Sequence, residues 1–215
     1  MKFKKQIKAT RTRNLLLIPT IVFCISLLIG SGCMNAPNNT VSYIYENPQY
    51  IDFARKTIYI PPSYVATTFS EFSKKLISIR ETSEHESTLQ AIRQIENYPV
   101  DKYLYVDTLN AENFISVLEG EYIDLNASLA GTFREMLITQ MSQKERASNR
   151  EFTVLDSKYV KDNNKRYVLV RGEIRENSKV DYMTQYIITT NGKTFGITLV
   201  SKDGDDLENY IKAIK

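Results

Sequence analysis

RYVLVRGEI (Arg166–Ile174), VDYMTQYIIT (Val180–Thr189) and KTFGITLV (Lys193–Val200) decide the fold class of this chain. All three are rich in β-branched and aromatic residues, and each is bounded by turn-formers. Asp162-Asn163-Asn164 precedes the first, Glu176-Asn177-Ser178 follows it, and Asn191-Gly192 precedes the third. An Asn-Gly pair between two such runs is the strongest short-range hairpin signal, because both central residues of the turn need positive φ. Tyr167 and Leu169 alternate with Val168 and Val170, so the first strand is apolar on both faces and is expected to sit centrally, covered on both sides. In the third, Phe195, Ile197 and Leu199 alternate with Thr194 and Thr198, which predicts one buried and one wetter face. Phe152–Val160 adds a neighbouring strand, completing an antiparallel meander.

Working outward, Asp205 with Glu208 reads as a capping-box start to a short closing helix that presents Leu207, Ile211 and Ile214 on one side. Upstream, Asn126–Ala147 is the longest predicted helix, with Leu129, Phe133, Met136, Leu137 and Met141 at helical spacing. Its methionines read as packing. Between Thr67 and Asn97 the spacing predicts two helices, one striped by Phe69, Phe72, Leu76 and Ile79, the other by Leu89, Ile92 and Ile95, with a break at Glu81–Ser87. Thr57–Ile60 is a strand halted by Pro61-Pro62, since proline cannot donate to a ladder. Tyr103–Val106 and Phe114–Val117 are strands of the main sheet. The expected class is α+β: an antiparallel β-sheet with helices packed on its faces, in one domain over residues 51–215.

The first 32 residues are of a different kind. Met1–Asn14 carries six basic side chains and no acid, and Leu15–Gly30 is apolar, 16 residues long and contains Pro19. That is short of the roughly 20 residues a membrane span needs, and it suits a signal segment. The chain's net charge of +3 therefore averages two parts: without this segment, 22 basic face 25 acidic side chains. A mildly acidic, evenly mixed body offers no electrostatic footprint for nucleic acid.

Gly30-Ser31-Gly32 directly before Cys33 resembles the lipobox of bacterial lipoprotein precursors, with Gly30 where that family usually has an apolar residue and Leu28 and Ile29 just upstream. The resemblance implies cleavage after residue 32 and acylation of Cys33, with residues 33–50, rich in Asn and Pro, as a tether. Two or three acyl chains, at about 0.8 kcal/mol per buried methylene, would hold the protein on the lipid bilayer permanently. It would face away from the cytoplasm. Met34 rather than Asp after the cysteine favours the outer membrane in a host that has one. Cys24 would leave with the signal, so no intramolecular disulfide is expected.

The element order also resembles the superfamily of PsbP, the extrinsic photosystem II protein, and its bacterial DcrB-like lipoproteins. The likeness rests on TIYIPPSY (Thr57–Tyr64), the long helix, the paired hairpins and the closing LENYIKAIK, across residues 50–215. It implies a PsbP-like sandwich and an accessory or binding role, with another envelope protein as partner and no shared active site.

Catalytic signatures are thin. The one histidine, His85, lies between Glu84 and Glu86 and reads as solvated. No G-x-S-x-G elbow, P-loop or dinucleotide glycine pattern is present. Asp203-Gly204-Asp205-Asp206 is the one run that suggests a cation. Its spacing to Glu208 is too close for a calcium loop, and acids at a helix start are explained by the dipole. Glu119/Glu121 and Glu173/Glu176 are close carboxylates of the sort common on solvated edges. Tyr182 and Tyr186 share a strand face, and Tyr43, Tyr45 and Tyr50 cluster near the tether, where tyrosine suits interfaces. The expectation is a non-enzymatic binding or assembly module with no cofactor, no metal site and no catalytic residues. A carboxylate enzyme acting on envelope polymers and an immunity or shielding lipoprotein are the alternatives.

Overall fold

A computed structural model describes residues 46–79, 96–97, 99–147, 149–162, 164–176 and 179–214. Nine strands and three helices are seen among them, with strands β1 (Pro48–Ile51), β2 (Lys56–Tyr59) and β3 (Tyr64–Thr67) leading into helix α1 (Phe69–Ile79). Strands β4 (Lys102–Asp107) and β5 (Phe114–Gly120) precede α2 (Ala127–Ala147). Then come β6 (Glu151–Asp162), β7 (Lys165–Glu176), β8 (Lys179–Thr190), β9 (Lys193–Ser201) and α3 (Glu208–Lys212). β1 and β2 form a separate hairpin. The other seven strands make one antiparallel sheet in the order β3-β4-β5-β9-β8-β7-β6. The class is α+β, as the meander implied. Among the described residues no helix is long and apolar enough to cross a membrane.

Strand alternation sends every second side chain to opposite faces, and both faces are covered. On one, Val168, Val170, Met183, Ile187 and Val200 meet Phe69 and Phe72 of α1 and Phe133, Leu137 and Met141 of α2. On the other, Tyr105, Tyr167, Leu169, Tyr186, Phe195, Ile197 and Leu199 meet Ile51 and Ile58 of the hairpin and Leu207 and Ile211 of α3. α1 starts with a true capping box. The Glu71 N–H donates to Thr68 Oγ1 (3.1 Å) while the Thr68 N–H donates to Glu71 Oε2 (3.1 Å). α2 is opened by Asn126, whose Oδ1 accepts from the Leu129 N–H (3.0 Å).

Several expectations change. The face carrying Thr194 and Thr198 is buried too, because α1 and α2 cover it. β7 is covered on both sides but lies second from an edge, the centre being β9. Two strands unmarked by the sequence pattern, β1 and β3, are four residues each, too short for alternation to register. β1 takes in Pro48–Tyr50, so the folded unit begins inside the stretch read as tether. The capping box at Asp205 does not form. Asp206 Oδ1 accepts from the Glu208 N–H instead, and the Glu208 carboxylate is drawn to Lys158 (2.7 Å) and Lys212 (3.1 Å). Buried Lys165 completes the docking of α3 by donating to the carbonyls of Ile211 (2.9 Å) and Lys212 (2.7 Å). The second predicted helix, with Leu89, Ile92 and Ile95, lies outside the described residues.

Candidate functional site

Between β5 and α2 the chain crosses one end of the sheet, and a closed ring of hydrogen bonds pins it there. The Ile123 N–H donates to Thr194 Oγ1 (2.9 Å), Thr194 lies 2.9 Å from Thr189 Oγ1, and Thr189 Oγ1 donates to the Ile123 carbonyl (3.1 Å). A hydroxyl has one proton to give, so Thr189 uses its own on the carbonyl and Thr194 must donate to Thr189. Each proton in the ring is thereby assigned. Tyr159 adds a bond from its hydroxyl to the Leu125 carbonyl (3.2 Å).

Beside this ring, Arg166 at the start of β7 donates to Asp124 (2.5 Å) and to the Leu125 carbonyl (3.4 Å). Asn191 and Gly192 form the β8–β9 turn at φ 47° and 73°, as the Asn-Gly signal required. Tyr122, Asp124, Asn164, Arg166, Thr189, Thr190, Asn191 and Gly192 together line an open cleft of about 240 Å³. Its one carboxylate and one guanidinium pair with each other. What remains for a ligand is a lining without net charge, made of two side-chain amides and one tyrosine ring held at strand ends.

The acidic run Asp203-Gly204-Asp205-Asp206 is at the other end of β9 and fastens protein to protein. Asn113, buried in the β4–β5 connection, donates through Nδ2 to Asp107 (3.3 Å) and Asp203 (3.2 Å) and accepts from the Lys202 N–H (2.9 Å). Ser201 Oγ accepts from the Asp203 N–H (3.1 Å). Lys202 Nζ is buried against Asp181 and reaches Glu112 at 3.5 Å. Arg171 bonds the Gly204 carbonyl and lies 3.6 Å from Asp206. Desolvation, with Asp203 beside it, holds the Asp205 carboxyl above its ordinary range. The Tyr64 phenol is likewise pushed up by burial, then by Asp107, Asp205 and Asp203. Among the described residues no group of three or more His, Cys, Asp or Glu side chains could hold a metal ion.

Cys33, His85, Glu84, Glu86, Tyr43 and Tyr45 lie outside the described residues. Glu173 bonds its near neighbour Arg175 (2.7 Å), and Glu119 pairs across to Phe195 at the end of β5. Tyr186 is buried against Tyr167 with ring centroids 6.1 Å apart, and Tyr182, half-buried, lies against Gly204. Tyr50 on β1 stays exposed. The sequence pattern did not reveal the cleft. Its lining comes from three separated segments, 122–124, 164–166 and 189–192, of which only the Asn-Gly turn carries a local signal.

No family model matches the chain, and no curated protein matches it in sequence. Solved structures similar to it include cyanobacterial PsbP (CyanoP) from Synechocystis, at 12% identity and a TM-score of 0.44, covering 78% of this chain and 85% of that one. A protein of unknown function from Pseudomonas aeruginosa, PA94, is 13% identical with a TM-score of 0.33, covering 54% of this chain and 78% of that one. LpqN, involved in cell envelope biogenesis of Mycobacterium tuberculosis, is 13% identical with a TM-score of 0.28, covering 74% of this chain and 76% of that one. The first belongs to the superfamily that the element order resembles.

Proposed function

We propose that this chain is a lipid-anchored binding or accessory module of the bacterial envelope, acylated on Cys33 and facing away from the cytoplasm. The observation that carries this reading is the order of the N-terminal zones: a basic start, a short apolar run, then small residues directly before Cys33. Twelve residues, Met34–Tyr45, lie between that cysteine and the described fold, in which Asn47 already bonds the Pro61 and Tyr64 carbonyls, and a stretch of that length spans at most about 40 Å. The domain supports the binding half of the reading. Its acidic corner is spent on internal contacts, and its neutral cleft offers hydrogen-bonding groups that can hold a ligand without transforming it. The module acts by tethering that ligand, or an envelope partner carrying it, at the membrane surface.

Cell fractionation with labelled palmitate tests the anchor. The unaltered chain should appear in membranes and carry label, while Cys33→Ala should leave the membrane fraction and carry none. A Cys33→Ala protein that stays labelled and membrane-bound would refute the reading.

A further inference from the structure

We infer that the cleft at the β8–β9 turn is a subsite for a neutral saccharide, with Tyr122 as its stacking platform. This deepens the binding reading above and is independent of the anchor. Three properties of the lining select the ligand class. First, Asp124 and Arg166 neutralise each other across 2.5 Å, so neither an anion nor a cation gains net attraction on entry. Second, the side-chain amides of Asn164 and Asn191 each offer both a donor and an acceptor. A sugar hydroxyl has the same dual character, so each contact can be satisfied in either direction. Third, Tyr122 lines the cleft yet leaves 58% of its surface open, among polar neighbours. An aromatic face ringed by hydrogen-bonding groups matches a pyranose, whose C–H face is apolar and whose rim is hydroxylated.

The walls are set in advance. The Ile123–Thr194–Thr189 ring and the Arg166 bond to the Leu125 carbonyl hold the Tyr122–Asp124 segment against the sheet end. Ordering that segment therefore costs little when a ligand arrives. The open shape suits the terminal unit of an oligosaccharide, with the remainder of the glycan in solvent.

The test uses full-length protein purified in a detergent without a sugar headgroup. Saturation-transfer NMR is recorded against cellobiose, N,N′-diacetylchitobiose and, as a charged comparison, digalacturonic acid. Transfer to at least one neutral disaccharide is expected, with binding weakened about tenfold by Tyr122→Ala and within about threefold of wild type for Tyr122→Phe. Tyr122 is exposed, and an unchanged circular dichroism spectrum establishes that the variants are folded. Absence of transfer to both neutral disaccharides would overturn the inference, as would binding that Tyr122→Ala leaves intact or a preference for the charged sugar. Such a failure leaves palmitate labelling of Cys33 unaffected, and loss of that label leaves saccharide binding unaffected, so the two claims fail separately.

Discussion

The hydroxyl ring beneath the cleft gives a quantitative prediction. Thr194→Val removes two hydrogen bonds, the one accepted from the Ile123 N–H and the one donated to Thr189. Thr189→Val also removes two, the shared bond and the one to the Ile123 carbonyl. Both threonines are buried, and a net contribution of about 1 kcal/mol per bond makes each single substitution worth about 2 kcal/mol. The double variant loses three bonds, not four, so it should cost about 3 kcal/mol and show about 1 kcal/mol of non-additivity. Urea unfolding of the four proteins, followed by circular dichroism at unchanged slope, measures this directly. Singles costing under about 0.5 kcal/mol, or strict additivity, would refute a cooperative ring and with it the pre-set wall of the cleft.

Three further outcomes follow from the structure. Lys202→Met leaves Asp181 buried without its ion-pair partner and should cost about 3–5 kcal/mol in urea unfolding, part of it recovered when Asp181→Leu is added. Gly172→Ala should destabilise by about 1–3 kcal/mol in thermal melts, because an added Cβ would lie 2.2 Å from the Phe152 ring and 2.8 Å from the Thr153 carbonyl. Asp205 binds its proton more tightly folded than unfolded, so its contribution to stability is present at low pH and lost as pH rises through the folded value. Asp205→Asn should therefore raise the melting temperature at neutral pH and leave it unchanged near pH 3, below the unfolded carboxylate range. A rise of equal size at both pH values would contradict that sign.

Pattern reading worked where an element is long or its turn chemistry is specific. The alternation from Arg166 to Val200, the Asn191-Gly192 turn and the α2 stripe of Phe133, Leu137 and Met141 each repeat a physical constraint several times over. β1 and β3 escaped because four residues repeat nothing, whereas β2, equally short, is marked by the Pro61-Pro62 stop that follows it. Thr194 and Thr198 were misjudged for a different reason. A threonine on a strand reads as polar, yet here one hydroxyl is consumed by the chain crossing from β5 to α2, a contact 71 residues away in sequence. The same distance hides the cleft, since Tyr122, Arg166 and Asn191 come together only when β5, β7 and the β8–β9 turn share one end of the sheet. Asp205 shows the converse. Its spacing to Glu208 fits a capping box, but Lys158, reaching across from β6, competes for Glu208 and wins the carboxylate. The proposal for Cys33 rests on the sequence pattern alone, because a targeting signal is read before folding and needs no tertiary context.

Intact-mass spectrometry of the protein extracted from its own membranes tests the account most directly. A chain beginning at Cys33 and carrying the added mass of a thioether-linked diacylglyceryl group is the predicted product. A free thiol at Cys33, or an N-terminus at any other residue, would contradict the anchor on which the proposed function rests.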